Sequence, residues 1–467
     1  MIIHKFGGTS VGSVERFTAV VDIVLGQAGE NVVVVSAMRG VTNQLVAGAR
    51  AAAEGRDDVY REIKAALLDK HLAVVEVLLP DTVARLDVGG FVEDRLHDLE
   101  RLYRSIAILG EVTVRGCDTV AAFGEQLSSN ILAAVLRARG ARAEAVSATE
   151  LIVTDDNFGS AKPLMGKTRT QLRRCIPPLI ERGVIPVITG YIAATAQGVT
   201  TTLGRGGSDY TAAIVGAGLE ADEVWVWSDV DGILTADPNI VPGARTLAEL
   251  SYAEAADLAY YGADVLHPKT VGPVVEAGIP LRLLNSFAPE HPGTLVVRSP
   301  DANRERLPAI ISTTGLAMIA VGSRDDAWSL AMTARALQCL SDAGVDVPMF
   351  SQSFSEHALN LVVRDQDQAH ALRVLEGAFG RAPLPREQAA LGVKAQVATV
   401  SVVGVPGWNT KGIVSHAFAA LGQHGTRVIA VAQAATEYNV SFCIPEAQVA
   451  DTVRFLHREL GLERISE

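Results

Sequence analysis

The chain opens on Ile2-Ile3-His4-Lys5-Phe6, is cut by Gly7-Gly8-Thr9-Ser10, and resumes with apolar residues at helical spacing from about Val14 to Gln27. Strand, turn and helix are the elements this predicts. Near-continuous apolar runs at Asn31 to Val35, Val184 to Thr189 and Glu223 to Trp227 read as further strands, alternating with helical stretches at Ser128 to Arg139 and Lys167 to Arg182. Strands apolar on both sides need cover on both faces, so the pattern predicts an α/β fold, an αβα sandwich on a mostly parallel central sheet. Residues 54–116 depart from it, being helix-rich and charged with Tyr60-Arg61-Glu62-Ile63-Lys64-Ala65-Ala66-Leu67-Leu68 at helical period. They read as an accessory helical region whose charges solvate exposed faces. The breakers Ala288-Pro289-Glu290-His291-Pro292-Gly293 mark a domain boundary.

Beyond that boundary the sequence repeats itself. Ser351-Gln352-Ser353-Phe354-Ser355-Glu356 aligns with Ala432-Gln433-Ala434-Ala435-Thr436-Glu437, and Leu340 and Gly344 recur at the same offset as Leu421 and Gly425. Met318-Ile319-Ala320-Val321-Gly322 opens the first copy and Val400-Ser401-Val402-Val403-Gly404 the second. Each copy reads strand, helix, strand, turn, strand, which resembles an ACT domain, a ferredoxin-like βαββαβ module. The expected organisation is a catalytic domain over 1–290, a first ACT module over 310–385, and a second built from 293–309 and 386–467, with the strand Thr294 to Val297 joining the second. A tandem pair of this kind serves either regulation by an amino acid or dimerisation alone.

A chain of 467 residues with 48% hydrophobic content can bury a large core and suggests two to four domains. A net charge of −12 without a long basic run argues against nucleic acid or an anionic membrane surface as partner. Cys117, Cys175, Cys339 and Cys443 lack CxxC or metal-ligand spacing and read as core or helix positions in a reducing cytoplasm. The N-terminus enters a strand directly, without a charged leader or a long apolar segment, and no run is long enough to span a bilayer.

Candidate chemistry concentrates in Thr202-Leu203-Gly204-Arg205-Gly206-Gly207-Ser208-Asp209. Its glycines allow positive φ and close approach to a ligand, and Arg205 offers a planar fork of donors for a carboxylate or phosphate. The apolar run Tyr210 to Ala217 reads as a helix with Ser208 or Asp209 at its N-cap. The competing reading is a strand-to-helix turn whose arginine faces water. Lys5, at a strand's C-terminal end beside a glycine turn and a helix start, stands where open α/β sheets bind ligands. Glu125 could equally be a first-turn acid of a helix running from Gln126 to Arg139.

Lys5-Phe6-Gly7-Gly8-Thr9-Ser10 and the Arg205 motif, with Val35-Ser36-Ala37-Met38-Arg39-Gly40-Val41-Thr42-Asn43, Phe123-Gly124-Glu125-Gln126-Leu127-Ser128 and Val265-Leu266-His267-Pro268 in order between and after them, resemble the aspartate kinases of the amino acid kinase family over nearly the whole chain. The resemblance implies ATP with Mg²⁺ as phosphoryl donor and L-aspartate as acceptor. It implies that Lys5 stabilises charge on the transferring group, that backbone N–H groups of Gly7, Gly8 and Gly207 with Thr9 cradle phosphate oxygens, and that Asp209 orients Lys5 or the Mg²⁺ shell, an N-cap role being its alternative. Arg205 would take the acceptor's α-carboxylate, Glu125 its α-ammonium group, and Ser36 and Thr42 its side chain. Ser228, Asp229 and Asp231 fall on the nucleotide side, and no residue is assigned as a resident metal ligand.

Four positions depart from the family pattern. Ser228, Leu234 and Asn239 stand for its Thr, Tyr and Arg, and Asp264 for the lysine of Phe-Gly-Ala-Lys, with Lys269 or Arg245 as substitute cations. Pro348, where lysine-sensitive relatives have an aspartate, implies an altered effector response. The expected activity is ATP:L-aspartate 4-phosphotransferase, with an end-product amino acid as effector, assembly into a homodimer or higher homo-oligomer through the ACT pair, and no appended dehydrogenase. The alternatives are a catalytically silent amino-acid sensor and a kinase for another carboxylate.

Overall fold

A computed structural model describes residues 1–260, 268–301, 306–323, 330–353, 358–379, 389–404, 412–433 and 439–463. The chain forms two compact units, one of residues 1–233, 248–256 and 264–302, the other of 234–247, 257–263 and 303–467.

The first unit is built on an eight-stranded sheet in the order Ala143–Val146, Ile185–Thr189, Asn31–Val35, Ile2–Phe6, Glu223–Ser228, Leu281–Asn285, Thr294–Val297, Glu249–Ser251. Every neighbouring pair is parallel except Leu281–Asn285 with Thr294–Val297. Period-two alternation divides the central strands between two helical layers. Phe6, Val33 and Val35 join a core with the helices Val14–Gly26, Val41–Ala53 and Val114–Ala138. Ile3 and Val224 meet the helix Gly207–Leu219 on the opposite face, where a Cβ on Gly216 would stand 2.6 Å from Val224 Cγ2 and 3.7 Å from Ile3 Cγ1. Lys5 shares that second face with Ile3, and its neighbours across the sheet are Val34 and Val226.

The accessory region comprises the helices Asp57–Leu78 and Thr82–Leu109 and the start of Val114–Ala138. Leu67, Val74, Leu96, Leu99 and Tyr103 make it continuous with the main core. Expected as one helix, the stretch 167–182 is two, Met165–Cys175 and Pro177–Glu181, because Pro177 supplies no N–H to continue the first. No helix among the described residues is long and apolar enough to cross a membrane.

The second unit carries a six-stranded antiparallel sheet, in the order Met349–Ser353, Ala358–Arg364, Ala309–Ser323, Ala389–Val403, Asn439–Pro445, Ala430–Gln433. Helices Leu330–Asp342 and Asp365–Phe379 belong to the first repeat, Ile413–Gln423 and Val449–Glu459 to the second. The repeat extends to matching turns: Val345 N–H donates to Leu340 O at 2.9 Å and Thr426 N–H to Leu421 O at 3.0 Å, each beside a left-handed glycine, Gly344 (φ 70°) and Gly425 (φ 66°). Glu356 and Glu437, the ends of the aligned segments, lie outside the described residues.

One strand is not where the sequence reading put it. Thr294–Val297 pairs with Leu281–Asn285 in the first unit's sheet, not with the second repeat. It returns in a hairpin whose approach is set by Gly293 (φ 64°), where a Cβ would stand 1.9 Å from Leu283 O. A run this short fits more than one sheet, and the chain turns back at Gly293 to pair with the strand just before it. Ala309–Thr313 instead provides the extra strand beside Thr399–Val403.

Gly48 lies against the buried Tyr103, whose hydroxyl donates to Leu45 O at 2.8 Å; a Cβ there would stand 2.5 Å from that hydroxyl oxygen. Gly48→Ala is therefore expected to destabilise the fold by about 1–3 kcal/mol despite its better helix propensity, as overpacking does. Urea unfolding measures this, and adding Tyr103→Phe should restore part of the loss.

Candidate active site

The C-terminal ends of the central parallel strands open onto a cavity of about 590 Å³ bordered by Lys5, Gly8, Thr9, Ser36, Thr42, Glu125, Arg205, Gly207 and Asp209, among others. Turns that only glycine permits bring these residues together. Arg39 N–H donates to Gly8 O at 3.0 Å, and a Cβ on Gly8 would stand 2.9 Å from Ala37 O. Ser36 N–H donates to Phe6 O at 3.1 Å, holding the two strand-end loops in register.

Lys5 Nζ stands 2.5 Å from Asp209 Oδ1, joining the strand Ile2–Phe6 to the first turn of the helix on its own face. The contact is an ion pair rather than an aligned hydrogen bond, since Asp209 Oδ1 has no partner of regular hydrogen-bond geometry. The helix N-cap is Gly206, in the left-handed region at φ 70°, so Ser208 and Asp209 are the second and third residues of the helix and not its cap. Gly207 N–H closes the turn on Gly204 O at 2.9 Å, and Gly7 N–H reaches Trp227 O at 3.4 Å. Two of the three donors expected to cradle phosphate, Gly7 and Gly207, thus already have acceptors, because these tight turns satisfy their own backbone. Gly7 does not border the cavity, but its Cβ position is 3.4 Å from Lys5 Nζ.

Arg205 is exposed between Gly204 (φ 75°) and Gly206 (φ 70°) and borders the cleft. Asp118 fixes the approach to it, a residue that no sequence motif singled out. Its Oδ1 accepts Thr202 Oγ1–H at 2.7 Å, and its Oδ2 accepts Thr202 N–H at 3.1 Å and Gly159 N–H at 2.8 Å. Tyr191, also missed, borders the cavity with φ 65° and packs where a Cβ on Gly207 would stand 2.6 Å from its Cδ2. Lys269 donates to Ser160 Oγ at 2.9 Å, beside the position a Gly204 side chain would occupy.

Glu125 lies in the middle of the helix Val114–Ala138, not in a first turn. Gly124 brings that helix against the loop at Ala37, whose Cβ would stand 2.6 Å from a Cβ on Gly124, and Ser128 Oγ–H donates to Ser36 O at 2.7 Å. The carboxyl is 2% exposed; Oε1 accepts Ala37 N–H at 3.2 Å, while Oε2 has no hydrogen-bond partner. Burial pushes its pKa from 4.5 up to about 8, against the pull of the Ala37 N–H. A cationic group placed at Oε2 would satisfy the oxygen and draw the pKa down.

Ser228, Asp229 and Asp231 do not border this cavity; they follow Trp227 at the end of the strand next to that of Lys5. Ser228 O accepts Ser286 N–H and Ser286 Oγ–H, both at 2.9 Å, and Asp231 Oδ1 accepts Asn285 Nδ2–H at 2.8 Å. Leu234, Asn239 and Arg245 belong to the second unit, where Asn239 N–H donates to Asp237 Oδ1 at 2.9 Å within a local turn. Asp264 and His267 lie outside the described residues. No group of three or more metal-ligating side chains occurs among the described residues.

Residues 1–285 match the amino acid kinase family, and 330–379 with 400–460 match the ACT domain. Over 98% of its length the chain is 32% identical to the chloroplastic aspartokinase 1 of Arabidopsis thaliana, covering 79% of that protein. The chain belongs to the aspartokinase family. It is also 32% identical to the bifunctional aspartokinase/homoserine dehydrogenase 2 of the same plant, over 99% of this chain but only 51% of that relative, so it spans about half the length of the bifunctional proteins. E. coli aspartokinase III in complex with aspartate and ADP has the same fold at a TM-score of 0.82 and 28% identity, covering 99% of this chain and 100% of that one. The same enzyme with lysine and aspartate matches at 0.79 and 27%, over 98% and 99%.

Glu125 generates a pH-dependent expectation. Its folded-state pKa lies above the unfolded value, so the stability it contributes is full below about pH 4.5 and is lost as pH rises through about 8. Glu125→Gln should therefore gain stability over the parent by an amount that grows across that window, reaches on the order of a few kcal/mol, and then levels off. Denaturant unfolding of both ligand-free proteins from pH 5 to 9 measures it.

Proposed function

We propose that the chain transfers the terminal phosphoryl group of ATP to the side-chain carboxylate of L-aspartate, yielding 4-phospho-L-aspartate and opening the synthesis of aspartate-family amino acids. The observation that carries this reading is the meeting, in one cleft, of Arg205, the unpartnered Oε2 of Glu125 and Lys5. A fork of donors and a buried carboxylate oxygen suit the α-carboxylate and α-ammonium of one amino acid. Ser36 and Thr42 border the same cleft with hydroxyls for its side chain.

The residues present fit a nucleotide. Gly8 brings a side-chain-free turn to the edge of the cleft, and Thr9 and Lys5 border the same space. Bound Mg²⁺–ATP would supply the phosphoryl group and screen its charge, with Asp209 the carboxylate on hand to orient Lys5 or water around the ion, and Ser228, Asp229 and Asp231 on the nucleoside side. Lys5 neutralises charge developing on the transferred oxygens, which costs little reorganisation because Asp209 already holds it. Among the described residues all four cysteines are unpaired, in keeping with a reducing compartment, the cytoplasm in our reading.

The two ACT modules would bind an end-product amino acid and join copies of the chain into a homodimer or higher oligomer. In the second repeat Asn439 Nδ2–H donates to Asp257 Oδ2 at 2.7 Å while its Oδ1 has no partner. In the first, Pro348 precedes the strand Met349–Ser353 and offers no N–H, so lysine is not the effector we expect.

An ATP-dependent hydroxamate assay tests the activity: product is expected with aspartate and not with glutamate or without acceptor, and a wild-type chain silent with all three would be a sensor. Lys5→Ala should lower kcat by about two to four powers of ten with little change in the KM for aspartate, the loss expected for one preorganised donor. Arg205→Lys keeps the charge but removes the fork. It should raise the KM for aspartate by roughly 10- to 100-fold and leave that for ATP in place, and steady-state kinetics read both.

A further inference from the structure

Arg39 borders the cleft, yet neither the motif reading nor the proposed mechanism gives it work. Its backbone is clamped on both sides. The N–H donates to Gly8 O at 3.0 Å, and the carbonyl accepts the ammonium of Lys70 from the accessory helix Asp57–Leu78. The side chain leaves from beside the glycine turn, with Cβ 3.5 Å from the position a Gly12 side chain would occupy. The guanidinium is exposed and forms no ion pair or hydrogen bond with the described residues.

Charge on the walls of the cleft shows what that group is for. Lys5 is already matched by Asp209 at 2.5 Å, and Arg205 sits on a separate turn, between the left-handed Gly204 and Gly206. A triphosphate bound over Gly8 would lie beside Ala37–Gly40, the loop from which Arg39 enters the same cleft. Lys70, whose ammonium donates to the Arg39 carbonyl, is a cation too, and its pKa is lowered, first by burial and then by Arg39 itself. Two neighbouring cations repel, and an anion held between the guanidinium and the glycine turn relieves that repulsion.

We propose that Arg39 is a catalytic residue that binds the terminal phosphate oxygens of the nucleotide, as a second cation beside Lys5 in the same cleft. This rests on the kinase reading above. A planar fork spans two non-bridging oxygens, and a group that meets only the terminal phosphate discriminates triphosphate from diphosphate.

The test is calorimetric titration of wild type, Arg39→Ala and Arg39→Lys with the magnesium complexes of AMP-PNP and ADP, alongside steady-state kinetics. Arg39→Ala is expected to weaken AMP-PNP at least tenfold, change ADP less than twofold, lower kcat, and leave the KM for aspartate in place, with Arg39→Lys intermediate. Equal weakening of both nucleotides, no weakening of either, or an effect confined to aspartate would each overturn the proposal. Failure of wild type to bind nucleotide or form the hydroxamate would instead sink the kinase reading. Because the side chain is exposed, unfolding is not expected to confound the variant, and matching thermal melts check this.

Discussion

The backbone of the Gly7–Thr9 turn lies against that of Ala37–Arg39 so closely that one methyl group on Gly8 would stand 2.9 Å from Ala37 O. The cleft depends on that approach. Gly124 lets the helix bearing Glu125 press on the same loop, and Gly207 lets the Arg205 turn settle on Tyr191. Each contact replaces a side chain with backbone, which places charged groups from four separate chain segments around one space without filling it. A cleft built on backbone contacts has little freedom to deform, and preorganised donors gain their worth from that stiffness.

Polarity follows from the same construction. Strand alternation gives Lys5 to the face of the helix Gly207–Leu219, and the left-handed cap at Gly206 puts Asp209 within reach of it. The helix Val114–Ala138 contributes two buried acids seven residues apart, about two turns along one side. Asp118 spends its oxygens on the backbone and hydroxyl that lead to Arg205, while Glu125 keeps one oxygen unspent. One helix thereby fixes the spacing between the turn that carries Arg205 and the unpartnered oxygen of Glu125.

Much of this was legible because periodicity and glycine placement are local signals. The strands at 2–6 and 31–35, the helix from Val14 and the gathering of Lys5, Arg205, Glu125, Ser36 and Thr42 followed from them and from the family pattern. What was hidden depends on distance in space. Asp118 carries no motif, since its three donors come from residues 159 and 202. Tyr191 takes a positive φ that nothing in its neighbours announces. Thr294–Val297 is short enough to suit either sheet, and the helix start at Gly207 was masked by Ser208 and Asp209, both good caps in isolation.

The two compact units are interleaved along the chain, with Leu234–Leu247 and residues 257–263 leaving the stretch that builds the first to become part of the second. Thr235 receives the Arg245 N–H at 2.9 Å and meets His457 Nε2 at 2.9 Å, and Ile310 N–H donates to its carbonyl at 2.8 Å. Severing the gene at any single codon near residue 302 would leave the downstream fragment without these segments and the upstream fragment carrying them with nothing to fold upon. Such an arrangement resists exchange by recombination: the second unit cannot be grafted on or removed by one crossover, and its inheritance is tied to that of the first.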